Sequence, residues 1–173
     1  MTKAQAKTLF GHGLTPKRPL SQPGQYLSNE RVTVIGPKGE FQNVAVLGPE
    51  RGEAQVEVSL TDSKTLGLTP PVKLSGDISG SPGATLVGPC GQVTLEKGVI
   101  VARRHIHMTP QSAAHFGVKD KQVVRLQTYT ARPLIFDDVV VRVSDKFALA
   151  MHVDTDECNA AGAAGEVYGE IVK

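Results

Sequence analysis

Short apolar runs separated by Gly, Pro, Asn and Asp fill most of the chain, and few of them carry the 3.6-residue period of a helix. The segments RVTVIGPKGEFQNVAVLGP (31–49), AQVEVSL (54–60), ATLVGPCGQVTL (84–95), KGVIVARRHIHM (97–108), QVVRLQT (122–128) and PLIFDDVVVRVS (133–144) are Val-rich and bounded by turn residues. They predict strands joined by tight turns. The helices predicted are short. TDSKTLGL (61–68) has Thr61 or Asp62 as N-cap and Gly67 as stop, and MTPQSAAHFGV (108–118) has Thr109 as cap, Pro110 in the first turn and Gly117 after it. MTKAQAKTLFG (1–11) has the same shape.

That likeness is one of three internal echoes. Met1-Thr2 to Phe10-Gly11 parallels Met108-Thr109 to Phe116-Gly117; VIGPKG (34–39) parallels LVGPCG (86–91); FQNVAV (41–46) parallels FDDVVV (136–141). Each is short, and turn chemistry alone produces GPxG. Together they predict two similar β-rich halves, 1–102 and 103–173. The expected fold is mainly β: two small β-barrel domains with short capping helices. In the second half His105-Ile106-His107 stands immediately before Met108, so the matching segment of the first half is expected upstream of Met1.

Composition narrows the function classes. Lys and Arg number 19 against 17 Asp and Glu, a net charge of +2, so no basic surface points to nucleic acid, while anionic small molecules need only local positive charge. Cys90 and Cys158 lie far apart and form no CxxC pattern, as expected of a reducing cytoplasm. The N-terminus lacks an apolar signal core and no segment reaches membrane-spanning length, so a soluble cytoplasmic protein with no membrane partner is expected.

Within this frame the stretch RRHIHMT (103–109) stands out. Residues i and i+2 of a strand share a face, so His105 and His107 would present two imidazoles together. They could form half of a metal site or an edge pair of polar residues; a pair beside Arg103 and Arg104 favours the metal, because it must otherwise tolerate nearby like charge. Ligation needs three or four converging groups. His152 ends another apolar run, LAMHVDTDE (149–157), with Asp154 two residues on, and Glu57 stands in AQVEVSL with Gln55 and Ser59 on its face. Glu57 alone reads more readily as an ordinary exposed strand carboxylate than as a ligand, and His12 and His115 read as structural. Arg51, in the turn LGPERG, suits phosphate or carboxylate, or a solvated turn. Arg142 interrupts an apolar strand and could face outward or toward an anion. SGDISGSPG (75–83) could cradle an anion or simply turn, and matches neither GxxxxGK[ST] nor GxGxxG. No GxSxG is present and neither cysteine sits in a nucleophile context.

LSQPGQY (20–26), VTVIGPKG (32–39), NVAVLGP (43–49), QVEVSLTD (55–62), SGDISGSPG (75–83), GVIVARRHIHMTP (98–110) and MHVDTDECNAAG (151–162) together resemble the PduL-type phosphate propanoyltransferases, phosphotransacylases of bacterial microcompartments. The resemblance spans nearly the whole chain. It implies two β-barrels and exchange of a short acyl group, propanoyl or acetyl, between coenzyme A and inorganic phosphate. It also implies zinc on Glu57, His105, His107 and His152, phosphate beside Arg51, and coenzyme A near Ser75 and Arg142. The family carries two zinc ions, the second held by an upstream RHxHL strand that this sequence lacks, so one complete zinc site is expected here. Expected associations are a homodimer and the shell or core enzymes of a microcompartment. Two rival functions share these residues: a zinc-dependent thioester hydrolase, and an inactive truncated protein that binds coenzyme A or assembles with a shell.

Overall fold

The structure, a computed structural model, describes residues 1–172 and is mainly β, with short helices between strands. The backbone separates into two compact units, Met1–Val101 and a second that begins at Ala102. None of the helices among the described residues is long and apolar enough to cross a membrane.

The first unit runs α1 (Lys3–Phe10), β1 (Pro16–Pro19), β2 (Tyr26–Ile35), β3 (Glu40–Gly48), β4 (Val56–Glu57), α2 (Leu60–Leu66), β5 (Val72–Lys73), β6 (Ala84–Val87), β7 (Gln92–Leu95) and β8 (Val99–Ala102). One sheet has the order β1-β2-β6-β7 with β3 also on β2, and a small second sheet has the order β4-β8-β5. Leu9, Leu66 and Val99 are wholly removed from water at its core.

The two GPxG turns repeat in three dimensions. Gly36 N–H donates to Gly39 O at 2.9 Å and Gly88 N–H to Gly91 O at 2.9 Å, so each closes a hairpin, β2–β3 and β6–β7. Each hairpin tip then caps a helix: Lys38 N–H donates to Leu66 O at 3.0 Å, and Cys90 N–H to Leu9 O at 2.9 Å. These satisfy carbonyls at helix C-termini that have no partner inside the helix. The helices end alike, in Lys7-Thr8-Leu9 and Lys64-Thr65-Leu66. A Cβ on Gly36 would lie 2.3 Å from Leu66 O, and one on Gly88 2.4 Å from Leu9 O, which is why each turn carries glycine there. Both turns lie inside the first unit, so this echo is a repeat within one unit.

The second unit runs β9 (His105–Met108), α3 (Pro110–Phe116), β10 (Val123–Thr128), β11 (Ile135–Val143), β12 (Ala150–His152), α4 (Thr155–Ala161) and β13 (Gly169–Val172), in one sheet ordered β12-β9-β11-β10-β13. β9 runs parallel to β11 and antiparallel to β12. Met108, Val139 and Val141 are fully buried, with Ile106, Leu126 and Phe136 around them.

The other two echoes do link the units. Thr2 and Thr109 cap α1 and α3, and Gly11 and Gly117 end them in the left-handed region. Asn43 and Asp138 occupy the third position of FQNVAV and FDDVVV, and both have positive φ, 58° and 57°. Short polar residues tolerate that conformation, and each marks a register shift in its hairpin. β11 is flanked by β10 and β9, whereas β3 pairs only with β2 among the described residues. Beside β3 lies a groove of about 230 Å³ lined by Phe41 and Val44, by Val56 and Glu57 of β4 with Val58 after it, and by Leu66 of α2.

Three local expectations change. GVIVARRHIHM is not one strand but two, β8 and β9, broken at Arg103-Arg104 and serving different sheets. α2 is capped by Ser59, whose hydroxyl accepts from Asp62 N–H while Asp62 accepts from Ser59 N–H. α4 was not expected, although Asp154 and Glu157 form the same reciprocal box at its start.

Gly88→Ala is expected to lower stability by about 1–3 kcal/mol, because the added methyl must displace the Leu9 carbonyl. Gly52→Ala, whose Cβ would meet nothing within 4 Å, should be near neutral. Paired thermal denaturation of the two variants checks the contrast.

Candidate metal centre

β9 sits between two neighbours, and its register assembles the site. On the β12 side His152 is directly opposite His105, and Ala150 opposite His107. On the β11 side Val140 is opposite His105 and Arg142 opposite His107. Because strand side chains alternate, His105, His107, His152 and Arg142 all fall on one face, while Ile106 and Met151 pack into the unit's core. The strand reading of HxH holds, and its third member comes from the edge strand next door.

The three rings converge. Their centroids are 4.7 Å apart for His105 and His107, 5.1 Å for His105 and His152, and 4.8 Å for His107 and His152. One nitrogen from each lies within 4.8 Å of the others. His105 and His107 are buried and His152 half-buried. His105 Nδ1 lies 2.8 Å from Arg103 O. A carbonyl can only accept, so Nδ1 carries the proton and Nε2 keeps the lone pair, an arrangement common behind metal-bound histidines. His107 is different: both its ring nitrogens are buried and neither has a hydrogen-bond partner. An orphaned buried polar atom costs roughly 1–3 kcal/mol, so an imidazole with two needs a reason.

Electrostatics favours the ligating form. Burial, then the neighbouring His105, His152 and Arg142, push His107 down to about 3. Burial, then His105 and Arg142, push His152 down to about 4. Both rings are therefore neutral at physiological pH, as metal ligation requires. Three converging imidazoles, two of them held neutral, suit a borderline ion such as zinc. The residues fit the group.

The arginines next to the pair exert less pressure than the sequence suggested. Arg103 forms a two-point ion pair with Asp138, and Arg104 Nη1 reaches Glu157 Oε1 at 2.6 Å. Arg142 is the one on the histidine face: half-buried, with Cζ 5.8 Å from the Phe147 ring, which in turn stacks on His107 at 4.1 Å. Phe147 was not singled out by the sequence, since a lone aromatic in a loop carries no pattern.

The remaining sequence candidates sit on the first unit. Glu57 is exposed on β4 and receives Gln55 Nε2 at 2.6 Å. Gln55 also donates to Ser75 Oγ at 2.9 Å and accepts from Gly76 N–H at 2.7 Å, so it ties Glu57 to the start of the 75–83 loop. That loop is organised by its own Asp77, which takes Ser79 N–H and Oγ and Lys73 Nζ. Those bonds hold its carboxyl down to about 2. Arg51 is exposed and its backbone N–H donates to Met1 O at 2.8 Å. Glu57 and His152 hold matching places, each two residues before the N-cap of a boxed helix. His12 and His115 are exposed and outside the cluster.

Fold and cluster together define a β-built protein with a three-imidazole candidate metal centre. The family model described as phosphate propanoyltransferase matches residues 1–164. The chain is 54% identical over 164 residues to a phosphate propanoyltransferase of Thermotoga maritima, covering 93% of this chain and 78% of the relative. To those of Enterococcus faecalis and Clostridioides difficile it is 52% and 51% identical over 175 residues, covering all of this chain and 83% and 84% of the relatives. The chain belongs to the phosphate propanoyltransferase family.

Protein purified without chelator is expected to carry metal that His107→Ala removes and His115→Ala retains, measured by elemental analysis per folded chain. Equal metal in both variants would place the ion elsewhere.

Proposed function

We propose that this protein exchanges a short acyl group between coenzyme A and inorganic phosphate: acyl-CoA plus phosphate gives acyl phosphate plus CoA, with propanoyl or acetyl as the group carried. Family membership supports the reaction. The observation that carries the site assignment is His107, buried with two unpartnered nitrogens inside a cluster of three rings.

His105, His107 and His152 would hold a zinc ion, and three protein ligands leave a position for substrate. When bound, such an ion supplies Lewis-acid polarisation and charge neutralisation. Glu57 is a further candidate ligand, for the position that substrate would otherwise take. Arg51, an exposed guanidinium with its five donors, suits two oxygens of a phosphate, and Arg142 and Ser75 suit the anionic and polar parts of coenzyme A. Phosphate is a weak nucleophile, and orienting it beside the thioester carbon is the main task of the binding groups.

Direct attack of a phosphate oxygen on the carbonyl carbon, with departure of the CoA thiolate, needs no acyl-enzyme. The available thiols agree. Cys90 is exposed in a hairpin turn. Burial, then Asp154 and Glu157, push the Cys158 thiol up and away from its nucleophilic form. Association with a microcompartment, or with a second copy of the chain, belongs to the same proposal.

The test is thioester loss and acyl-phosphate formation followed together. Wild type should consume acyl-CoA only when phosphate is present, and Arg51→Ala should lower kcat/KM for phosphate by about 10²–10³, within the range seen for loss of a charge-stabilising donor. Thioester loss in phosphate-free buffer would instead make it a hydrolase, and a burst of CoA equal to the enzyme present would reveal an acyl-enzyme.

A further inference from the structure

β12 is only three residues long and lies at the edge of its sheet, yet it supplies one of the three histidines. Pairing with β9 at three positions does not by itself fix the last residue of an edge strand, which is where His152 sits. We infer that Arg104 and Glu157 are positioning residues for this centre, clamping the start of β9 to the start of α4 so that His152 stays opposite His105. The inference rests on the assignment of the three histidines as a metal site.

The geometry is specific. Arg104 immediately precedes His105 and is held on three sides: Nη1 donates to Glu157 Oε1 at 2.6 Å, Nε donates to Asp137 O at 2.7 Å, and the guanidinium carbon lies 5.7 Å from the Phe136 ring centroid. Its own carbonyl accepts Val140 N–H at 3.2 Å. Arg104 is thus fixed to β11 independently of α4. Glu157 uses its other oxygen, Oε2, to accept Asp154 N–H at 3.0 Å, while Asp154 Oδ1 accepts Glu157 N–H at 2.8 Å. Asp154 is two residues after His152. The path from β11 through Arg104 and Glu157 to Asp154, two residues beyond His152, is made of hydrogen-bonded links, and a planar guanidinium transmits orientation along it better than an ammonium would.

The pair is partly exposed, with side-chain exposures of 30% and 19%, so as a stabilising ion pair it contributes little. Its value lies in geometry, and groups behind metal ligands commonly change affinity by 10–100-fold. A merely structural bridge would change melting temperature and leave the metal untouched.

Glu157→Gln separates the two cases, because glutamine still accepts Asp154 N–H and preserves the helix cap while losing the charge that holds Arg104. Zinc and cobalt(II) affinities would be measured by competition with a chromophoric chelator, with the cobalt(II) visible spectrum and melting temperature recorded on the same samples. Glu157→Gln and Arg104→Met should each weaken binding by about 10-fold or more and alter the cobalt spectrum, with Arg104→Lys intermediate. The double variant should lose no more than the worse single one, since both act through one contact. Wild-type affinity in both single variants, or additive losses, would overturn the inference. Failure of wild type to bind either ion would overturn the metal assignment itself, and the inference with it.

Discussion

Everything distinctive about the second unit depends on keeping three imidazoles out of water on one face of β9 and β12. A buried ring with no hydrogen-bond partner is a standing cost, and His107 has two such atoms. The fold carries that cost because the same burial keeps His107 and His152 uncharged and their lone pairs available. A cation held by the three rings would offset it. The register of β9 against β11 places Arg142 opposite His107, on the same face as the three histidines.

The two units show one set of local devices put to different uses. A helix opened by a threonine and closed by a glycine, a bulge at a short polar residue with positive φ, and a two-residue step from strand to boxed helix occur in both. In the second unit the residue before that step is His152, in contact with two other histidines. In the first it is Glu57, fixed by Gln55 and bordering an apolar groove. The carboxylate and the imidazole are both hard-to-borderline ligands, so the correspondence extends from backbone to chemistry.

Much of this was legible in the sequence, for physical reasons. His105 and His107 share a face because a strand has period two, and His152 could be added because it ends an apolar run of its own. Thr109, Pro110 and Gly117 bounded α3 correctly, since capping is local chemistry. Contacts across 35 to 53 residues were not legible: Arg103 with Asp138, Arg104 with Glu157, and His107 with Phe147 depend on strand order, which no local pattern encodes. α4 was missed despite its Asp154…Glu157 box, because the Ala/Gly-rich stretch after it masked the signal. The GPxG pair was legible as a repeated turn, but the helix end that each caps was not, since a turn motif reports its own geometry and not what it packs against.

The central claim is that His105, His107 and His152 bind one metal through ring nitrogens in a family member that moves acyl groups to phosphate. X-ray absorption at the zinc edge on the purified chain tests it most directly. Imidazole nitrogens at about 2.0–2.1 Å are expected to dominate the coordination shell, with the outer-ring scattering of three histidines. A shell of oxygen alone, a sulfur contribution near 2.3 Å from either cysteine, or the absence of any bound metal would contradict it.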